Sequence, residues 1–359
     1  MKHNLIALLA VALVIIRVGA YFLRPPLFKE GDRIRITTTI RSEPVRFDNS
    51  QYLKILGLGV YMPVYPEVSY GDRVVLEGRV EGKRLVDVDL KKIDADTGFL
   101  YNFRKKILDL YKSSLPPPYS SLVAGVSIGS KSDMPSDFWD SLKNTGTAHV
   151  VVASGMNVSL VAGFLVSFFT FFLHRRKALY LALLGVWIYS FMSGLDAPIV
   201  RAAIMGSIAF SAQEFGRVNF SVRALFITSF FMIFINPSYL SDRGFWLSIS
   251  STLGMIVLGS RINNSLVRLP AGLRESISSS LAAQVGAAPF LFLFFGRFNF
   301  LSPLINALVL WTVVPITIIG LLAGLIGGVV PVIGRLMLLL AYPLTFWFVY
   351  IVKLFSWDF

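Results

Sequence analysis

NTGTAHVVVASGMNVSLVAG, residues 144–163, begins polar, turns apolar, and carries His149, Ser154 and Asn157 into a stretch apolar enough to lie in lipid. Polar side chains are costly in hydrocarbon, so they normally face a bundle interior, a cavity or a substrate path. Two plainer readings compete with a path: capping of a helix N-terminus, and helix–helix hydrogen bonds that serve no substrate. Length argues for a break. As one straight helix, residues 147–173 would run about 40 Å, against a hydrocarbon core of about 30 Å. A bend near Ser154-Gly155, with Gly155 as hinge, shortens the span and turns freed backbone groups toward a cavity. His149 to Asn157 is therefore expected to be a bent segment lining a path. Gly155, Ser159 and Gly163 recur every four residues and are expected to fix it to a neighbouring helix.

The rest of the chain has the composition of a membrane bundle. Of 359 residues 55% are hydrophobic and only 15% charged, where a soluble domain carries about 25% charged residues. The fold class expected is a polytopic α-helical membrane protein of about nine spans with a small extracytoplasmic β-barrel. Apolar segments fall at 5–23, 147–173, 178–194, 198–213, 220–236, 244–260, 277–296, 300–326 and 331–353. Arg175, Arg176 and Lys177, then Arg217 and Arg223, then Arg261, Arg268 and Arg274 occupy alternate loops. The positive-inside rule makes those loops cytoplasmic. The N-terminus is then cytoplasmic, and the β segment and C-terminus are extracytoplasmic. The net charge is +13; residues 24–143 hold 19 basic and 16 acidic residues, so +10 belongs to the remainder.

Four regions follow. Residues 1–24 form a membrane anchor with Arg17 near its outer end, and Val18-Gly19-Ala20 offers a signal-peptidase site as the alternative. Residues 25–96 alternate with period two, as in Ile34, Ile36, Thr38 and Ile40 against Arg33, Arg35, Thr37 and Thr39, and Glu81-Gly82-Lys83 marks a hairpin. Short strands of this number suit an OB-like barrel. Its Arg33, Arg35, Arg41, Arg46 and Tyr52 are candidates for holding a single strand, although interspersed acids fit a solvated lid equally. Residues 97–143 read as an amphipathic helix over 99–111 lying along headgroups, then an external loop with a short helix. Residues 144–355 are the membrane domain.

With no cysteine there is no disulfide and no thiolate chemistry, and three histidines cannot build a histidine-rich metal centre. No cofactor is expected, nor enzymatic activity. Ser154 and His149, as a nucleophile and base, would point about 140° apart on a continuous helix. Three further constellations are candidates. Arg201 lies one turn into the helix opened by Asp196-Ala197-Pro198, where it suits phosphate or a pair with Asp196. Phe245 and Ser248 follow Asp242-Arg243-Gly244, as interface residues or at the mouth of a path. Gln284 and Asn306 flank the turn after Pro289, for interhelical bonds or for a path.

In order along the chain, TGTAHVVVASGMNV, SGLDAPIVRAAIMGS, GRVNF, NPSYLSDRGFWLSISSTLG and AAQVGAAPFLFLFFGRFNFLSPLINALV resemble the ComEC competence family, and YGDRVVLEGRVEG resembles that family's N-terminal OB-like domain. The resemblance covers residues 25–350. It implies a channel of the bacterial cytoplasmic membrane that passes single-stranded DNA inward during natural transformation. The rival is a transporter of another polyanion or solute, or a scaffold. The chain departs from the family at Asn157, where members often carry histidine. It also stops at Phe359, where many members continue into an external metallo-β-lactamase-like domain. A separate nuclease is then expected, or strands already separated, or a longer chain. Without a GxxxxGK[ST] loop the energy source is expected to be a cytoplasmic motor or DNA-binding partner. The lipid bilayer is the other partner, and a homo-oligomer is compatible with the sequence.

Overall fold

A computed structural model describes residues 2–23, 28–40, 43–46, 50–63, 65–93, 98–151, 154–214, 221–295, 299 and 301–356. Helix α1 (Lys2–Phe22) leads into six strands: β1 (Arg33–Thr39), β2 (Val45–Arg46), β3 (Ser50–Ile55), β4 (Leu58–Pro63), β5 (Arg73–Glu81) and β6 (Arg84–Ile93). The period-two pattern sets which face is buried, so Ile36, Ile40, Leu53, Val60, Val74, Leu76 and Leu85 form one core. The hairpin at residues 81–84 joins β5 to β6 through Gly82, whose φ of 58° suits glycine. The strand order is β1-β5-β6-β4-β3-β2, with β4 and β6 parallel.

The expected closed barrel is instead an open sheet: among the described residues no ladder joins β1 to β2. These two edges are consecutive in the chain. Pro44 lies just before β2 and has no N–H to give a ladder. Arg41 and the side chain of Arg46 lie outside the described residues. Of the other candidates on the sheet, Arg35 pairs with Glu77, and Tyr52 packs its ring on Tyr61.

The sheet is clasped to the helices. Glu43 pairs with the buried guanidinium of Arg104 and also accepts from the Lys131 N–H. Arg104 lies 4.9 Å over the Tyr70 ring, and the Tyr70 hydroxyl donates to the Phe191 carbonyl at 2.9 Å. The Tyr101 ring covers Gly71, leaving no room there for a Cβ.

The helices are α2 (Phe99–Ser114), α3 (Tyr119–Ile128), α4 (Ser136–Asn144), α5 (Ala148–Val151), α6 (Gly155–Phe172), α7 (Arg175–Met192), α8 (Ala197–Glu214), α9 (Ser221–Ile235), α10 (Arg243–Ser265), α11 (Ala271–Phe295), α12 (Ser302–Gly327) and α13 (Pro331–Leu354). A short 3-10 turn, Pro237–Ser241, separates α9 from α10. Among the described residues five stretches are long and apolar enough to cross a membrane: Ala148–Phe172, Arg243–Ser265, Ala271–Phe294, Ser302–Gly327 and Pro331–Leu354. Four apolar helical stretches are shorter, including Ala197–Ala212 and Ser221–Ile235. The chain is a polytopic helical membrane protein with a small N-terminal sheet.

Helix α3 is the element that sequence alone does not foresee. It is too short for a span, and YSSLVAGVSI mixes polar and apolar residues, yet nine of its ten residues are buried. It ends at Gly129 in the left-handed region, with the Gly129 and Ser130 N–H groups bonded to the carbonyls of Gly125 and Ala124. Helix α2 is amphipathic as expected, but its apolar face meets protein. Tyr111 donates to the Gly320 carbonyl at 2.7 Å, and Ile107 packs where a side chain on Gly324 would lie.

Small residues set the helix crossings, since lipid offers no hydrophobic drive between helices. The run Gly320, Gly324 and Gly328 receives Ser127, Ile107 and Phe103. The expected run Gly155, Ser159 and Gly163 is not such a seam: Ser159 is exposed, and a Cβ on Gly163 would meet nothing within 4 Å. The tightest crossing pairs glycines of different helices. A Cβ on Gly254 would lie 2.3 Å from the Ala282 carbonyl, and one on Gly286 would lie 2.4 Å from the Ser250 carbonyl.

Two outcomes are expected. Gly286→Leu must push α10 and α11 apart, costing at least about 1–3 kcal/mol, and will lower the melting temperature of the detergent-solubilised protein. Gly259→Ala, where a Cβ meets nothing within 4 Å, will leave it unchanged. At the clasp, burial, with Tyr101 adding to it, pushes the Tyr70 phenol up to about 12 from an ordinary value of 10.0. Its share of the clasp is thus complete below pH 10 and lost as pH rises through 12. Limited proteolysis between α1 and α2 will increase over that window, and Tyr70→Phe will remove the step.

Candidate functional site

The apolar run that begins at residue 147 is broken. Helix α5 ends at Val151, Ser154 is extended at φ −116° and ψ 166°, and α6 starts at Gly155. Ser154 is the residue type that caps helices, yet its side chain makes no capping bond, and its buried Oγ has no partner. Asn157, in the first turn of α6, is fully buried with neither Oδ1 nor Nδ2 bonded. Helix termini in lipid must find partners for their orphan N–H groups, so an uncapped N-terminus at this depth is a chemical feature.

Arg201, on α8, lies against that N-terminus. A Cβ on Gly155 would be 2.8 Å from its Nη2, so glycine here makes room for a guanidinium. Arg201 is only 7% exposed. Its Nε donates to Ser248 Oγ of α10 at 2.7 Å, and its Nη1 approaches Met205 Sδ at 3.2 Å. No described carboxylate comes within ion-pair distance of it. Asp196, the partner that sequence offers, lies instead 3.4 Å from Lys131 Nζ, and Asp242 caps α10 by accepting from Phe245 N at 2.7 Å. Gly155, Arg201 and Ser248 are thus brought together from three helices, with Ser154 and Asn157 on the same first turn of α6.

A second group gathers where the head of this stretch meets the turn between α11 and α12. Gln284 Nε2 donates to the Asn299 carbonyl at 2.8 Å, and Asn299 Nδ2 donates to the Asn144 carbonyl. Asn306 Nδ2 donates to Ser280 Oγ at 2.9 Å and Ser302 Oγ at 3.3 Å. Gly146, at φ 71°, has Ser302 Oγ 2.6 Å from where a Cβ would be, and its carbonyl holds His149 Nδ1 at 2.8 Å. His149 is otherwise exposed. Since Ser154 Oγ has no partner, His149 is not bonded to it, and the two form no nucleophile–base pair.

Phe245 joins neither group as a surface: it is 1% exposed and stacked on Tyr239 at 5.8 Å, which makes it core. Sequence reasoning passed over Asn299, Ser302 and Ser280, which complete the second group. Their one signal was the turn between the two polar helices. It also passed over the buried hydroxyls of Ser127, Tyr189 and Ser193, which have no partner. An apolar groove of about 1020 Å³ between α7, α8 and α9, lined among others by Trp187, Ile204 and Phe231, contains none of the candidate residues. Its lining suits lipid, and a charged strand would find no partner there. Among the described residues no group of His, Cys, Asp or Glu is arranged to hold a metal.

Comparison with known proteins adds an independent finding. Residues 126–359 match the family described as Competence protein. ComE operon protein 3 of Bacillus subtilis is 26% identical over 229 residues, 64% of this chain and 28% of that protein. Recombination protein 2 of Haemophilus influenzae is 24% identical over 162 residues, 43% of this chain and 20% of that protein. The matched chain thus spans less than a third of the length of either relative. No solved structure matches.

The second group carries its own expectation. Gly146→Ala combines a left-handed backbone with a contact on Ser302, and will destabilise by on the order of 1–3 kcal/mol. Thermal denaturation in detergent will report it as a lowered midpoint.

Proposed function

The chain belongs to the ComEC competence family, and from that premise we propose that its membrane domain passes single-stranded DNA across the cytoplasmic membrane. The carrying observation is Arg201, a cation inside the bundle with no described carboxylate beside it. A buried charge without a partner is strongly unfavourable, so it belongs where anions or water arrive. Single-stranded DNA is such an anion, with one charge per nucleotide. It cannot cross hydrocarbon, and its path needs water, dispersed positive charge and polar groups that let go.

Three features support that path. The extended Ser154 ahead of α6 leaves the N-terminal N–H groups of that helix without a side-chain cap inside an apolar stretch, which is tolerated where such groups line a cavity. Unpartnered buried polar atoms of Ser154 and Asn157 fall at the start of α6, the helix whose Gly155 meets Arg201. The +10 excess outside residues 24–143 draws a polyanion toward the membrane domain. With basic loops cytoplasmic, the sheet lies outside and meets DNA first, and the N-terminus lies inside. His149, Gln284 and Asn306 brace the outer end of the path, where the head of residues 144–163 meets α12. Phe245 packs behind it.

Complementation of a deletion in a competent host tests this reading, with cytoplasmic arrival of labelled DNA scored separately from surface binding. Arg201→Glu will cut arrival at least tenfold, about 1.4 kcal/mol or more, with surface binding retained. Unchanged arrival at equal protein level would remove Arg201 from the path. Arrival in the deletion strain itself would refute the function.

A further inference from the structure

Two positively polarised features meet at one spot. The N-terminus of an 18-residue helix, α6, carries partial positive charge and orphan N–H groups. The guanidinium of Arg201 lies against it at Gly155, and its Nη2 makes no hydrogen bond to a described residue. Two positive ends of this kind repel each other, and burial strengthens the repulsion. The protein could relieve this with a carboxylate, but Asp196, the nearest acid in sequence, pairs with Lys131, and Asp242 caps α10. It could cap the helix with Ser154, but that hydroxyl makes no capping bond.

We propose that the first turn of α6, with Ser154 before it, together with Arg201 of α8, is a built site for one phosphate oxyanion. The proposal rests on the DNA-passage reading for the carrier of that phosphate, a single phosphodiester of the strand. Helix N-termini hold phosphate through backbone N–H groups, and arginine presents a planar donor fork to it. Ser248, holding Nε, positions the fork so that Nη2 stays directed at Gly155. Only one full positive charge serves the site; the other donors are neutral. Such a site takes a phosphodiester reversibly, one at a time, which suits a strand that must move on. It also gives Gly155 a role distinct from that of a hinge: any side chain there occupies the space of the guanidinium.

The test uses the full chain purified in maltoside micelles, which contain no phosphate. Inorganic phosphate will raise its melting temperature, and a short oligothymidylate will compete with it, while the uncharged methylphosphonate analogue will not. Gly155→Ala and Arg201→Gln will each weaken phosphate binding at least tenfold, and Arg201→Lys will retain part of it. The salt dependence of oligothymidylate binding reads the same contact: each phosphate contact to a single strand contributes a slope of about −0.7, so Arg201→Gln will flatten the slope by about that amount. A melting temperature indifferent to phosphate, or an unchanged slope in Arg201→Gln, would overturn the site even if DNA arrival in the host depends on Arg201. Phosphate displaced by phosphatidylglycerol and not by oligothymidylate would overturn the assignment to DNA. Phosphate binding in a protein whose deletion leaves DNA arrival intact would refute the passage reading instead. Circular dichroism and gel filtration of each variant separate loss of binding from loss of fold.

Discussion

A guanidinium buried in a helix bundle without a carboxylate is the constraint on which the membrane domain turns. It sets what each neighbouring helix must do. Helix α6 begins at Gly155, where a Cβ would lie 2.8 Å from Nη2. Helix α10 brings Ser248 to Nε, and Asp242 serves as its cap. Helix α8 must leave Asp196 at its outer end, beside Lys131. The positive charge therefore stays uncompensated by the described protein, and a passing anion is the group that can answer it.

Such an arrangement is tolerable because the surrounding scaffold is stiff. Helices α2 and α3 are packed onto the glycine face of α12, and α10 and α11 touch backbone to backbone at Gly254 and Gly286. Packing of this kind allows few alternative positions for the helices around the break before α6. The sheet is tied into the same frame. The Glu43–Arg104 pair is a buried charge that is matched, in contrast to Arg201, and it sits where a domain must be held in place. One arginine is spent on structure and the other is kept available.

Much of the candidate site was visible as residue types, and little of it as contacts. His149, Ser154, Gly155 and Asn157 stand out because polar residues interrupt an apolar run, and the excess span length points to a break near Ser154. The family pattern picks out the same stretch. The partner of Arg201 did not stand out, because Ser248 is 47 residues away and serine is common in membrane helices for packing. Phe245 illustrates the converse. Its position beside Trp246 at a helix start matches an interface aromatic, yet it is enclosed by Tyr239, since depth in a bundle depends on neighbours that no local pattern encodes.

The sequence by itself determined that this chain spans a membrane, that a small β segment follows the first apolar stretch and precedes the rest, and which loops carry the positive charge. Those properties follow from hydropathy, period and composition, which act locally. The tertiary structure alone decided that α3 is core, that the sheet stays open at Pro44, that Gly254 faces Gly286, and that Gly163 faces nothing. It also decided the state of the feature from which the reading began. Residues 144–163 are a broken helix whose second half presents an uncapped N-terminus to Arg201. Whether a polar residue in lipid is satisfied depends on the partners that other helices bring, and those partners are set by long-range packing.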